Sequence, residues 1–305
     1  MSTEKKAGAR VLEHSNAQSV KSWPIDAFIL PRTRPAVKRA LRDTLCVALA
    51  LAALAALDGV FSICLFPFRG FYSPFRGCGA HRRQENMNIT APEQWQAERL
   101  QGIGASEASA VIGKNPWMSN VDLWRIKTGR KAAEDISDKA CVQYGHDAEP
   151  LIRGLFALDY KDIYKVEYRG AFDMVRSAQH PFIFATLDGR LTETATGRLG
   201  VYEGKTTEIL RSMQREKWRT PDGRPRLPDN YYVQVLHQLL ATGWEFAVLH
   251  AQLKSTWGNE FVATRRTFVI ERAEVQADLD FLLEHELRFW EYVQNDHEPP
   301  RIIDF

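Results

Sequence analysis

From Met87 onward the apolar residues follow two rhythms, one of about 3.6 residues that marks amphipathic helices and one of about two that marks strands. Thr90-Ala-Pro-Glu93 has the form of a capping box, a hydroxyl for the free amides and a carboxylate three residues on, and predicts a short helix through Arg99. Gly102-Ile-Gly-Ala-Ser-Glu-Ala-Ser-Ala-Val-Ile-Gly113 follows, a glycine-bounded turn leading into a small-residue helix with Ser106 as its N-cap. Further helices are expected over 119–127, stopped by Gly129, and over 146–160, with Leu151, Ile152, Leu155 and Phe156 on the apolar side and Glu149 in the first turn. The pattern then shortens into segments rich in Val, Phe, Ile and Tyr, predicting strands near 171–175, 182–187 and 199–205, with a turn at 194–197. Asp229 caps a helix through Ala241 closed by Gly243, strands follow near 247–253 and 262–270, and a last helix covers 274–294. In that helix Val275, Leu279, Leu282, Leu283, Leu287 and Trp290 keep helical spacing and read as core. Helices flanking one central group of strands make this an α/β domain with a mixed sheet.

The first 86 residues have a different character. Residues 45–66 read LCVALALAALAALDGVFSICLF, about the length that crosses a bilayer, interrupted only by Asp58 and Gly59. A membrane tether is one reading; arginines and lysines on both sides of the run give no orientation. The other is that 1–86 is a basic extension outside the native protein, translated from an upstream frame, with the true start at Met87 and a working domain of 87–305.

Charge separates the same two parts. The formal net charge is +2, but residues 1–86 hold 13 Lys/Arg against 6 Asp/Glu, while 87–305 hold 27 against 32. A mildly acidic body does not coat nucleic acid with a broad basic face, because that affinity comes from cations neutralising phosphates. Any such contact must be local. The four cysteines form no C-x-x-C pair, so neither a zinc site nor a disulfide framework is indicated, and a reducing cytoplasm fits.

The chemistry gathers in two segments. Phe182-Ile-Phe-Ala-Thr-Leu-Asp188 is an apolar strand ending in a carboxylate, and Val201-Tyr-Glu203-Gly-Lys205 places an acid and a lysine two positions apart. On a strand such a pair shares one face, and pairing with a neighbour brings Asp188 beside it. Carboxylates gathered out of water call for a cation, and Mg²⁺ prefers hard oxygen ligands. The ion would activate a water and polarise a phosphodiester, with Lys205 orienting that water or offsetting developing charge.

Together with Tyr144-Gly-His-Asp-Ala-Glu149, Ala185-Thr-Leu-Asp-Gly189 and Tyr231-Tyr-Val-Gln234, these motifs resemble, in order and spacing from about Trp95 to Asp296, the YqaJ-like viral recombinase and phage lambda exonuclease family of the PD-(D/E)xK nuclease superfamily. The resemblance implies a restriction-endonuclease-like core, a Mg²⁺ or Mn²⁺ cofactor, and digestion of double-stranded DNA from 5′ ends. It also implies a ring-shaped homo-oligomer, with a trimeric ring as the form named, that works with a single-strand annealing recombinase. Asp188, Glu203 and Glu149 match the metal-binding acids, Lys205 the catalytic lysine, and Gln234 a glutamine that steadies the site, with Tyr231 a weaker candidate. Arg99 and Ser106 match contacts to the 5′-terminal phosphate. Gly204 departs from the usual apolar middle residue of Glu-x-Lys, and Thr186-Leu187 stands where Ser-Pro is common. His146 reads as a helix residue without catalytic duty, and Trp117 and Trp124 as core, with base stacking by Trp117 the alternative. An endonuclease on the same fold and a non-catalytic DNA-end-binding module are the competing functions.

Overall fold

The computed structural model describes residues 9–12, 91–209, 212–257 and 260–302. The hydrophobic run 45–66 and Thr90, expected as a helix cap, lie outside them; among the described residues no helix is long and apolar enough to cross a membrane. In chain order the elements are β1 (Ala9–Leu12), α1 (Pro92–Leu100), β2 (Ile103–Gly104), α2 (Ala108–Val111), α3 (Asn120–Lys127), α4 (Ala140–Asp159), β3 (Tyr164–Glu167), β4 (Met174–Arg176), β5 (Ile183–Thr186), β6 (Gly189–Glu193), β7 (Leu199–Ile209), α5 (Ser212–Glu216), α6 (Asp229–Thr242), β8 (Phe246–Trp257), β9 (Glu260–Glu271) and α7 (Gln276–Gln294).

Six strands form the main sheet in the order β1-β9-β8-β7-β6-β3. Within this sheet, among the described residues, only β7 and β8 pair in parallel, joined by the crossover helix α6, so the sheet is mixed. Alternation along its central strands fills two layers. Val201, Ala247 and Leu249 join the large core under α6 and α7, while Tyr202, Phe246 and Val248 face the other way and pack with Phe156 of α4 and Tyr160 just after it. The expected α/β class, a central mixed sheet flanked by helices, is what the chain adopts.

A small second sheet, β2-β5-β4, was not foreseen. Two-residue and three-residue strands carry too little alternation to register in a sequence pattern. Glycine permits the parallel pairing of β2 with β5, because a Cβ on Gly102 would lie 2.2 Å from the Phe182 carbonyl oxygen. The chain leaves the small sheet at Thr186 and enters the main sheet at Gly189, so Leu187 and Asp188 form the junction between the two.

Several boundaries differ from expectation, each for a local reason. Helix α4 begins at Ala140 rather than His146, which puts Glu149 in mid-helix, followed by Pro150. Gly145 lies within the helix, where an added Cβ would meet Thr206 Oγ1 at ordinary contact distance. Ile152 and Phe156 are buried as expected, whereas Leu151 and Leu155 face solvent. Residues 171–173 are turn rather than strand, and β3 and β6 are strands that the pattern missed. Ser119 makes the capping box with Asp122. Gly243 closes α6 in the left-handed region at φ 68°. In α7, Val275 just before the helix, Leu279 and Leu282 are core, but Leu287 is exposed. Trp124 is buried, and Trp117, expected in the core, is 79% exposed.

Candidate active site

Strand β7 supplies Glu203 and Lys205 from one face, and their side chains meet, with Lys205 Nζ 2.5 Å from Glu203 Oε1. Pairing of β6 with β7 sets Gly189 opposite Tyr202, which carries Asp188 alongside the Glu203–Gly204 step. The Gly204 amide donates to Asp188 Oδ2 at 2.9 Å. Gly204 itself answers to a close approach, since an added Cβ would stand 3.3 Å from Ile152 Cδ1 on α4. Leu187 uses its amide to donate to the Asp173 carbonyl at 3.0 Å, a bond that a proline at this position would lack.

Helix α6 lies against this pair and presents two amides to it. Gln234 Nε2 donates to Glu203 Oε1 at 2.6 Å, and Gln238, one turn on, donates to Glu203 Oε2. Gln238 was missed by the sequence reading, although its i+4 spacing from Gln234 places both on one face. With three donors on its two oxygens and 1% of its side chain exposed, Glu203 is the most tightly held acid of the site. Lys205 Nζ also lies 5.5 Å from the centre of the Tyr231 ring.

Glu149 comes from α4, where its carboxylate is paired with Arg153 at 2.7 Å. The same guanidinium nitrogen donates to the Asp188 carbonyl at 2.9 Å, so Arg153, also missed, pins α4 to the junction between the sheets. His146 on this helix is exposed.

Electrostatics shows how close the acids are. Burial first, then the Glu203 and Glu149 carboxylates, push the Asp188 carboxyl well above the usual range, against the pull of Lys205 and the Gly204 amide. Burial works against the charge on Lys205, but Glu203 and Asp188 outweigh it and hold the ammonium protonated above the ordinary lysine range. The structure therefore brings together Asp188, Glu203, Lys205 and Gln234, with Glu149 near enough to repel Asp188 but committed to Arg153. Among the described residues no group of three or more His, Cys, Asp or Glu side chains stands ready to hold a metal ion. The expected three-acid cradle is thus not assembled as such. The donor set still suits a hard cation: Asp188 Oδ1 receives no hydrogen bond among the described residues, and the carboxylates repel one another where a dication would relieve them.

The predicted capping role of Ser106 needs correction. Ser106 is exposed and does not cap a helix; α2 starts at Ala108 after Glu107 and has only four residues, too short to offer an anion seat. Glu107 takes that place instead, its Oε2 accepting from the Gly104 amide at 2.8 Å and from Lys127 Nζ at 2.7 Å, while Oε1 holds Arg99 Nη2 at 2.9 Å. Arg99 stacks on Trp95 with its guanidinium carbon 4.7 Å from the ring centre, and Trp95 donates to Thr186 Oγ1 at 3.0 Å, two residues before Asp188. Arg99 is thus linked through packed groups to the strand leading into the acids.

A mixed sheet flanked by helices, with Asp188 at the junction of the two sheets beside the Glu-x-Lys of the central strand β7, defines an α/β protein with one concentrated acidic site. Residues 94–245 match the model of the YqaJ-like viral recombinase domain, and through them the chain belongs to that family. It is 30% identical over 203 residues to the uncharacterized protein YqaJ of Bacillus subtilis (strain 168), an alignment covering 65% of this chain. The chain spans about half, 55%, of that relative's length. Among solved structures, an alkaline exonuclease from Laribacter hongkongensis aligns over 67% of this chain and 97% of its own at 22% identity, with a TM-score of 0.42. A SOX–DNA complex aligns over 66% of this chain and 67% of its own at 12% identity, with a TM-score of 0.40.

Proposed function

We propose that the chain is a divalent-metal-dependent deoxyribonuclease of the PD-(D/E)xK type that digests double-stranded DNA from its ends, 5′ to 3′. The observation that carries this reading is the convergence of Asp188, Glu203 and Lys205 with Gln234 at one point of the fold. Each group has a task. Glu203, gripped by Gln234 and Gln238, is a fixed anion; Asp188 is a second, with one oxygen turned to the Gly204 amide and the other available. A Mg²⁺ or Mn²⁺ ion bound by Asp188 and Glu203, with Glu149 as a third ligand once it leaves Arg153, would neutralise the phosphodiester and make a water acidic enough to attack. Lys205 stays protonated, so it serves as a donor that orients the water or balances charge on the phosphoryl oxygens, not as the proton acceptor. Arg99 is the stronger of the two 5′-phosphate contacts, since its guanidinium is held in place; Ser106 contributes from an exposed turn. Residues 87–305 are the working unit in this reading, as a homo-oligomer beside a single-strand annealing recombinase.

Asp188 gives a test of the metal that does not depend on turnover. Its raised folded-state pKa means that the protonated form favours folding: that stability is complete below the unfolded carboxyl's pKa and is lost as pH rises through the folded one. Asp188→Asn removes the buried charge and keeps the acceptor for Gly204, so at neutral pH without metal the variant should melt above the parent. Addition of Mg²⁺ should raise the parent's melting temperature by about 2–4 °C and leave Asp188→Asn unmoved. Equal Mg²⁺ shifts in the two proteins would remove Asp188 from the metal site.

A further inference from the structure

A second feature is built from the chain neighbours of the aromatic pair beside Lys205. Trp218 and Tyr231 pack against each other at a tilt of 43° with ring centres 5.7 Å apart, and Lys205 Nζ sits over the Tyr231 ring. The residues next to these two rings, Lys217 and Asn230, line an open cavity of about 390 Å³ together with Lys114, Asn115, Arg226 and Asp229. Three cations face one carboxylate there, and that carboxylate is already engaged by Arg226 at 2.8 Å. This positive excess stands out in a body whose acids outnumber its bases, 32 to 27 over residues 87–305. At the rim, beyond Pro116, Trp117 holds its ring out with 79% of its surface exposed, burying almost nothing in return.

We infer that this cavity binds the sugar-phosphate backbone of a DNA strand, with Lys114, Lys217 and Arg226 contacting phosphates and Trp117 offering a face on which a base stacks. The inference rests on the nuclease reading above and extends it to a strand path reaching Lys205 past Tyr231. Cations spread over separate chain segments around an open trough suit a run of phosphates better than one small anion, and an exposed indole is the sequence-tolerant partner of an unpaired base. This is the local basic contact that an acidic body requires.

The test uses the full chain in EDTA with a fluorescent linear duplex bearing a single-stranded tail, and measures affinity over a range of salt. The variants are Lys217→Gln, at an exposed position, and Lys217→Gln/Arg226→Gln, each first matched to the parent in melting temperature. The control is Lys161→Gln/Lys165→Gln, both exposed, by the β3 edge of the main sheet. The double variant should bind about tenfold more weakly and lower the slope of log affinity against log salt by about two, the single variant by about one, with the control unchanged. Trp117→Ala should weaken binding of the tailed duplex more than that of a blunt one. An unchanged slope in the double variant, an equal change in the control, or no DNA binding by the parent would overturn the inference. Slope loss in a parent that fails to digest duplex with Mg²⁺ would keep this site and remove the nuclease reading; digestion with an unchanged slope would do the reverse.

Discussion

Replacing Lys205 with alanine should lower the rate of Mg²⁺-dependent duplex digestion by roughly 10²–10³-fold while leaving affinity for DNA ends, measured in EDTA, within about threefold of the parent. The expectation follows from where its charge sits. Lys205 is held protonated by Glu203 and Asp188, so removing it takes a preorganised cation from beside the reacting phosphate. Glu203→Gln should be as damaging by another route. Its carboxylate accepts from Gln234, Gln238 and Lys205 together, and a glutamine has one acceptor oxygen to offer three donors. Single-turnover rates with pre-bound enzyme isolate the chemical step from binding. A Lys205→Ala variant that digests as fast as the parent would exclude this lysine from the reaction.

The largest effect on stability is expected at Glu107. Its carboxylate joins Arg99, Lys127 and the Gly104 amide, and the Lys127 side chain is only 1% exposed. Removing the acid strands a buried ammonium with the Arg99 carbonyl, 2.7 Å away, as its remaining partner. Glu107→Ala should therefore cost about 3–5 kcal/mol, read as a fall in the urea midpoint at an unchanged slope. Removing both charges, as Glu107→Leu/Lys127→Met, should recover most of that loss, because the buried cation is gone. The pH dependence has a definite sign. Burial opposes ionisation of Glu107, but Lys127 and Arg99 outweigh it and hold the carboxyl below its ordinary range. Its contribution is then present above the unfolded carboxyl's pKa and is lost as pH falls through the folded one. A cost under about 1 kcal/mol for Glu107→Ala would mean that the triad does not hold this part of the fold.

Legibility in the sequence followed the length of the elements and the range of the contacts. Helix α6, with Gly243 at its end, and the long strands β7, β8 and β9 carry enough apolar periodicity to be read directly, and Glu203 with Lys205 shares a face because any strand imposes that. Asp188 could be placed beside them only as a guess at strand pairing, since the register of β6 against β7 is a long-range fact. The small sheet, the early start of α4 and the exposure of Trp117 depend on tertiary packing that no local pattern records. Gln238 and Arg153 were readable in principle, each four residues along a helix from a residue already singled out. Ser106 shows the opposite error. A serine after glycines looked like a helix cap, but Glu107 satisfies the turn from within and ties it to Lys127, leaving Ser106 in solvent.

The most direct measurement is digestion of an end-labelled linear duplex by the purified full chain, with Mg²⁺ and with EDTA, beside a covalently closed circle of the same sequence. Progressive loss of the linear duplex from its 5′ ends in Mg²⁺ alone, with the circle intact, is the predicted result. An intact linear duplex at every Mg²⁺ and Mn²⁺ concentration would contradict the account.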